Sequence, residues 1–164
     1  MKNTSLCYIE NNGCFLMLHR IKKENDINKD KWVGIGGKFE YGETPEECMK
    51  REVLEETGID IKSYSYRGIV TFVSDVWGTE YMHLFTAKTD VHSFNKCDEG
   101  VLEWVEKEKV CELPVWAGDK IFLELLKKDI PFFSLKLVYK GEELIKSVLN
   151  GKNIQNYEDL LINI

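Results

Sequence analysis

The sequence lacks the features that mark membrane, secreted and disulfide-rich proteins. No uninterrupted apolar run reaches the about 18 residues of a membrane span, and no apolar run follows basic residues near the N-terminus as in a signal peptide. The five cysteines are odd in number, scattered and without a CxxC pair. Free thiols of this kind are typical of a reducing compartment, so we expect a cytoplasmic protein without a membrane partner.

Positive charge is also in short supply. The 22 Lys and Arg residues are outnumbered by 28 Asp and Glu residues, which gives a net charge of −6. Proteins that coat nucleic acids present clustered Lys and Arg side chains to the phosphates, so this balance argues against a nucleic-acid partner. If the substrate is anionic, a bound metal must offset the repulsion.

The chain is long enough for one core and too short for two ordinary domains. It has 164 residues, of which 43% are hydrophobic, and it contains no internal repeat or low-complexity segment. We expect one domain over residues 1–150. The C-terminal tail, residues 151–164, has a weak amphipathic pattern, which predicts a short helix docked on the same domain. We expect the protein to be a monomer or a homodimer.

One stretch, Gly36 to Ile59, combines a glycine-bounded loop with a short acidic helix. Thr44 is the predicted N-cap, Pro45 the first helical residue and Glu47 the partner of Thr44 in a capping box. Gly58 is the predicted stop, because glycine adopts the left-handed conformation without steric cost. The apolar face of this helix is predicted to consist of Cys48, Met49, Val53 and Leu54.

Three glutamates, Glu52, Glu55 and Glu56, fall on one side of this helix. Each like-charged pair costs roughly 0.2–0.5 kcal/mol on an isolated helix, so something should compensate. A divalent cation would do so, and Mg²⁺ binds through a few carboxylates together with substrate phosphates. The alternative is a solvated acidic face in which Arg51 pairs with Glu47 or Glu55.

The residue types from Gly37 to Ile59 resemble the Nudix hydrolase signature without a gap or substitution. The resemblance implies an α/β fold, in which an α/β/α sandwich holds a central mixed sheet and the signature forms a loop–helix–loop motif. It also implies hydrolysis of a nucleoside diphosphate linked to another group, with Mg²⁺ or Mn²⁺ as cofactor. A small nucleotide is therefore the expected substrate, and water attacks one of its phosphorus atoms.

The same resemblance assigns roles to individual residues. It makes Glu52 and Glu56 the primary metal ligands and Glu55 a further ligand or the catalytic base. It makes Arg51 and Glu43 a salt bridge that locks the loop against the helix. The glycines before the loop allow tight backbone conformations, which can aim the carbonyl oxygen of Gly36 at the same metal.

A loop glutamate, Glu99, is a second candidate base. It lies in the turn-rich segment NKCDEG, and a Nudix loop of similar position often supplies an extra carboxylate to the metal or acts as base. The alternative is a glutamate that faces water. The lysines of the polar segment from Ile21 to Lys31 can be assigned to phosphate in the same way, but an ordinary solvated loop is the better interpretation.

The stretch from Leu113 to Leu144 resembles the C-terminal part of the MutT-like oxidised-purine nucleoside triphosphate diphosphatases. The resemblance implies that Trp116 and Asp119 hold the base, whereas the alternative for Trp116 is a core residue. The preceding KWVGIGGK resembles the same subfamily and places Val33 and Lys38 among the substrate contacts. Val33 stands where that subfamily often has a base-reading asparagine, and Gly118 stands where an additional acid can occur.

Hydrophobic patterns predict the remaining elements. Hairpins are expected around Asn12-Gly13, Trp77-Gly78 and Lys140-Gly141. A second helix is expected over Asp119 to Lys128, and His83 is expected to be a packed or surface residue rather than a ligand. The predicted strands are Thr4 to Glu10, Cys14 to Arg20, Gly68 to Val76, Thr79 to Lys88, Val101 to Val105, Phe133 to Tyr139 and Leu144 to Leu149.

These patterns together predict an enzyme that converts a purine nucleoside triphosphate, oxidised or not, to the monophosphate and pyrophosphate. One alternative is a Nudix hydrolase of another dinucleotide or of a nucleotide sugar. A second is a catalytically silent domain that binds a nucleotide and regulates a partner. The three intact glutamates of the helix argue against a silent domain, because a pure binder does not need all of them.

Overall fold

The computed structural model describes residues 1–155, and all its strands belong to one mixed sheet. The strands are β1 (Lys2–Asn11), β2 (Cys14–His19), β3 (Trp32–Val33), β4 (Ile35–Lys38), β5 (Ser63–Ser74), β6 (Gly78–Lys88), β7 (Val101–Glu106), β8 (Phe133–Lys140), β9 (Glu143–Leu149) and β10 (Lys152–Ile154). The helices are α1 (Pro45–Thr57), a 3₁₀ helix (Lys107–Glu112) and α2 (Ala117–Leu126).

The strand order is β10-β9-β8-β5-β6-β1-β2-β3, with β4 paired to β1 and β7 paired to β2. Two neighbouring pairs, β1 with β6 and β5 with β8, are parallel, and the other pairs are antiparallel. The expected hairpin between β1 and β2 is present, with positive φ angles of 49° at Asn12 and 76° at Gly13. Two such residues give the turn whose twist matches the flanking strands.

The two helices lie on opposite sides of the sheet, and the inner strands are therefore buried on both faces. In β2, Phe15 and Met17 join one hydrophobic core, while Leu16 and Leu18 join the other. This period of two is the side-chain alternation of a strand. Helix α1 packs on the second core through residues such as Val53, and α2 fills the first. The predicted α/β/α sandwich is confirmed.

Helix α1 has the predicted ends. The Thr44 hydroxyl accepts from Glu47 N at 3.1 Å, and the Glu47 carboxylate accepts from Thr44 N at 2.8 Å. Gly58 takes the left-handed conformation at φ 77°. The predicted apolar face is wrong at Leu54, which is 52% exposed. Thr57 is a buried residue of this helix instead, and its hydroxyl donates a hydrogen bond to the Val53 carbonyl.

Several predicted boundaries shift, and one element changes type. Strand β2 ends at His19, so Arg20 leaves the sheet, and β5 starts at Ser63, where an extended connection was expected. The predicted helix of the tail is wrong at Lys152–Ile154, which pairs with β9 as strand β10. The rest of the tail, residues 156–164, lies outside the described residues. Within residues 1–155, no helix is both long and apolar enough to span a membrane.

Candidate active site

Arg51 ties the glycine loop to helix α1. Its Nε donates to Glu43 Oε1 at 2.5 Å, and its Nη2 donates to Glu43 Oε2 at 3.0 Å and to the Lys38 carbonyl at 3.0 Å. Such a two-point pair between guanidinium and carboxylate is strong and directional. The hydrogen bond from Arg51 lowers the pKa of Glu43 to about 2. The loop and the helix are therefore held as one unit.

The same guanidinium reaches two of the acidic-helix residues. Its Nη1 donates to Glu52 Oε1 at 2.8 Å and to Glu55 Oε2 at 3.3 Å. Burial raises the pKa of Glu52, although Arg51 opposes the shift. A Cβ atom at Gly37 would lie 2.4 Å from the Glu52 carboxylate, so a side chain at this position would displace that carboxylate from the place where Arg51 holds it. Gly36 is needed for another reason, because its Cβ would meet the Ser5 carbonyl oxygen of β1 at 1.8 Å.

Glu56 is the exceptional carboxylate of the helix. Its Oε2 is buried and has no hydrogen-bond partner within residues 1–155. Burial raises the pKa of Glu56 well above its ordinary value, and the neighbouring Glu99 and Glu52 add to the shift. A buried polar atom without a partner is costly, and a buried anion more so. A cation placed beside Glu56 would remove both costs, so the residues present fit a divalent metal.

The carboxylates of α1 have different surroundings. Arg51 pairs with Glu52 and Glu55, while Glu56 is buried. No three His, Cys, Asp or Glu side chains in the described part of the chain are grouped so as to hold a metal ion. The residues that could hold a cation are Glu52 and Glu56, with Glu55 at the exposed edge of the same face.

Glu99 is held by two cations rather than facing water alone. Its Oε2 accepts from Arg20 Nη1 at 2.7 Å, and its Oε1 accepts from Lys23 Nζ at 3.1 Å. Arg20 in turn donates from Nε to Asp26 Oδ2 at 2.6 Å. Sequence reasoning assigned no role to Arg20. A cation directly after a buried apolar strand is the signal that identifies it.

Two of the loop lysines, Lys23 and Lys31, lie beside residues of the cleft, and Lys29 lies at the surface. Lys23 lines the main cleft beside Glu99. Lys29 pairs with Glu24 at the surface, as the solvated-loop interpretation predicts. Lys31 lies 4.7 Å above the Trp116 ring, and this position separates it from an ordinary solvated loop.

A cleft of about 710 Å³ joins the acidic helix to the predicted base site. Its size lies within the range of small-molecule sites. The predicted site residues that line it are Val33, Gly36, Lys38, Arg51, Glu52, Glu99, Trp116 and Asp119. Three others, Glu43, Glu55 and Glu56, do not line it. His83 also lies outside the lining and is hydrogen-bonded to Tyr66 and Asn3.

Trp116 combines the two predicted alternatives. It is only 6% exposed and packs its ring edge-on against Phe72 at 6.0 Å and Tyr139 at 5.1 Å between centroids. Its Nε1 donates to Asn28 Oδ1 at 2.8 Å. These contacts make it a core residue, and it also lines the cleft.

Asp119 places a buried acid in the same wall. Burial raises the pKa of its carboxyl group to about 8, against the opposing charge of Lys31. The group is therefore mostly protonated at neutral pH and can donate a hydrogen bond. The neighbouring Gly118 has no room for a side chain, because its Cβ would lie 2.5 Å from Leu137 Cδ1 and 2.7 Å from the Tyr139 hydroxyl. The missing second acid therefore follows from packing.

Comparison with known proteins agrees with this geometry. Over 128 residues the chain is 29% identical to the oxidized purine nucleoside triphosphate hydrolase of Danio rerio, which covers 75% of this chain and 79% of that protein. Over 131 residues it is 31% identical to the uncharacterized Nudix hydrolase YvcI of Bacillus subtilis, covering 76% of this chain and 82% of that protein.

A solved structure extends the similarity over most of the chain. The crystal structure of a MutT protein from Bacillus halodurans matches with a TM-score of 0.81 and 29% identity, covering 93% of this chain and 99% of that chain. The model of the NUDIX domain matches residues 2–126, which include the glycine loop, α1 and α2. The chain therefore belongs to the Nudix family.

Proposed function

We propose that this protein is a Nudix pyrophosphohydrolase that converts purine nucleoside triphosphates to the monophosphate and pyrophosphate. The observation that carries the proposal is a cleft whose lining includes Arg51, Glu52 and Glu99 together with Trp116 and Asp119. A nucleoside triphosphate needs both halves, since its phosphates must meet the acidic helix while its base meets the aromatic wall. The similarity to the Danio rerio hydrolase supports a purine substrate.

Mg²⁺, or Mn²⁺ in its place, would be held by Glu52 and Glu56 and would lower the pKa of a bound water and neutralise charge on the phosphates. The other steps of the reaction depend on side chains of the protein. Arg51 holds the carboxylates of both Glu43 and Glu52, which fixes one of the proposed metal ligands relative to the glycine loop. Water then attacks a phosphorus atom, the bond to the leaving phosphate oxygen breaks, and a carboxylate takes the proton from the water.

Two carboxylates are candidates for that proton. Glu55 lies on α1 with its side chain largely exposed, and Glu99 lies in the cleft wall. Glu99 forms salt bridges with Arg20 and Lys23. These two side chains are positively charged, so the phosphates of an incoming substrate are attracted to them. We assign the base to one of these two residues, and a comparison of their amide variants separates them.

The purine base of the substrate is held by the shape of the pocket and by one polar side chain. Asp119 in its protonated form donates to an acceptor on the edge of the purine. Val33 lines the cleft without a polar atom, and Gly118 has none to offer. Discrimination between bases depends on polar groups that the wrong base leaves unpaired, so this pocket distinguishes oxidised from unoxidised purines only weakly.

A substrate panel tests the proposal. Purine and pyrimidine triphosphates, oxidised and unoxidised, are assayed with Mg²⁺ and with Mn²⁺ beside a nucleotide sugar and a dinucleotide. The proposal expects the highest kcat/KM on purine triphosphates, with monophosphate and pyrophosphate as products. Faster turnover of the nucleotide sugar or the dinucleotide would replace the substrate assignment, and turnover of none would leave a nucleotide-binding domain.

A further inference from the structure

The tip of the β5–β6 hairpin carries an aromatic ring that no assigned role explains. Trp77 lines the cleft, and it is 55% exposed. The other large aromatic residues of that wall are closed off, with Phe72 at 8% and Trp116 at 6% exposure. Phe39 packs against the His83 ring. Among the aromatic residues that line the cleft in the described chain, Trp77 alone is more than half exposed.

The backbone under this ring is fixed from two sides. The Ser74 hydroxyl accepts hydrogen bonds from Val76 N at 3.1 Å and from Trp77 N at 3.0 Å. The neighbouring Asp75 accepts from Gly141 N at 2.9 Å, which ties the tip to the turn between β8 and β9. A side chain on an ordered turn loses less freedom when a ligand covers it, so an exposed ring at this position is suited to binding.

The surroundings of Trp77 favour a heterocyclic base over a phosphate. Glu80 lines the same cleft and is the cross-strand partner of Phe72. Lys2, the partner of Glu80 on β1, also lines the cleft and offsets its charge, so the preference for a base rests on apolar surface, to which Met82, two positions further along β6, contributes. Cations that attract phosphate, such as Arg20 and Lys23, are instead bound to Glu99.

We propose that Trp77 is a further substrate-binding residue, whose exposed indole face stacks on the base of the nucleotide. The inference rests on the proposed function, because it takes the base-bearing substrate from there. Trp116 remains a wall of the pocket, and Trp77 supplies the open face that the buried rings lack. Stacking on an indole is tolerant of base identity, so Trp77 sets affinity for nucleotides while Asp119 reads the edge of the base.

The test compares Trp77→Ala and Trp77→Phe with Val76→Ala. Val76 lies on the same turn, is 63% exposed and is absent from the cleft lining, so its variant controls for disturbance of the tip. Calorimetric titration with the α,β-imido analogue of dGTP measures binding without turnover, and inorganic tripolyphosphate serves as the probe without a base. Steady-state kinetics with dGTP are measured in parallel.

Trp77→Ala is expected to weaken binding of the dGTP analogue and to raise KM about ten-fold, with kcat within about two-fold of wild type. Trp77→Phe should recover most of the affinity, and neither variant should change binding of tripolyphosphate. Val76→Ala should behave as wild type. Unchanged binding of the analogue by Trp77→Ala, or equal losses for the analogue and tripolyphosphate, would overturn the inference.

The outcomes separate the inference from the proposed function. Hydrolysis of dGTP with affinity independent of Trp77 removes the inference and leaves the function standing. Binding that depends on Trp77 without hydrolysis of any triphosphate leaves the inference standing and removes the function. If the wild-type protein binds no nucleoside triphosphate, both are wrong.

Discussion

Arg20 and Glu99 are joined by a hydrogen bond of 2.7 Å between Nη1 and Oε2, although 79 positions separate them in the chain. Arg20 follows β2, and Glu99 lies in the loop before β7. Because Asp26 also holds the Arg20 guanidinium, at 2.6 Å, the position of Glu99 depends on a residue that is itself fixed. The loop that carries a candidate base is thus anchored by a residue at the end of the neighbouring strand, since β2 pairs with β7 through His19 and Val101.

Replacing Arg20 tests this anchoring. Arg20→Lys keeps the charge and loses the planar fork that serves two carboxylates at once, so we expect kcat to fall about ten-fold with a smaller change in KM. Lys29→Ala is the matched control, because within residues 1–155 the salt bridge of Lys29 is to Glu24, which is exposed. Steady-state kinetics and a thermal melt on both variants make the measurement. An Arg20→Lys enzyme with wild-type kcat would mean that Glu99 needs no anchor.

The identity of the base follows from two amide variants. Glu99→Gln and Glu55→Gln both keep the shape of the side chain and remove its basicity, so the variant of the true base should slow the chemical step by about 10²-fold or more. Single-turnover assays isolate that step. The exposed position of Glu55 and the position of Glu99 in the cleft wall lead us to expect the larger effect in Glu99→Gln. A normal rate for Glu99→Gln would assign the proton transfer to Glu55.

Asp119 predicts a specific dependence of stability on pH. Its folded-state pKa of about 8 lies above the unfolded value of about 3.9, so between those values the folded protein holds a proton that the unfolded chain has lost. The free energy of unfolding should therefore fall as pH rises from about 4 to about 8 and be unaffected by this group above that range. Asp119→Asn removes this contribution.

Melting temperatures of wild type and Asp119→Asn from pH 5 to pH 9 provide the check. The difference between the two proteins isolates Asp119, because other acids with raised pKa, such as Glu56, contribute equally to both. Parallel slopes for the two proteins across that range would show that Asp119 is ionised in the folded state.

The packing around Gly118 leads us to expect that a second acid at this position, which could help to distinguish bases, would destabilise the protein. Alanine is favoured over glycine by about 1 kcal/mol in a helix, but overpacking a core costs about 1–3 kcal/mol. The Leu137 side chain, which a new Cβ would meet at 2.5 Å, is fully buried and would have to shift within a packed core. We expect Gly118→Ala to lower the free energy of unfolding by about 1 kcal/mol and Gly118→Asp by more. Urea titration measures both, and a stabilised Gly118→Ala protein would contradict the packing argument.

Features held by local hydrogen bonds were predictable from sequence. The caps of α1 at Thr44 and Gly58 depend only on residues a few positions away, and both predictions are confirmed. The pair between Glu43 and Arg51 was implied by the family resemblance, and the structure contains it. The fold itself also came from the resemblance, because periodicity alone allows several arrangements of these strands.

Features that depend on distant segments were not predictable. Leu54 is apolar but faces solvent, because the buried side of α1 is set by where β1 and β4 lie. The salt bridge between Arg20 and Glu99 requires β2 to pair with β7, and those two strands are far apart in the sequence. The hairpin at Trp77-Gly78 was predicted, but the hydrogen bond from Gly141 N to Asp75, which ties its tip to the turn between β8 and β9, joins residues 66 positions apart.

Glu56→Gln tests whether the acidic helix carries out metal-dependent hydrolysis of a nucleoside triphosphate. Quantifying the products of dGTP at saturating Mg²⁺ compares the variant with wild type. Wild type should yield dGMP and pyrophosphate, and a folded Glu56→Gln protein should be at least about 10²-fold slower, because an amide keeps the shape but loses the anionic ligand. Turnover near wild type in the folded variant, or no dGMP from wild type, would contradict the account.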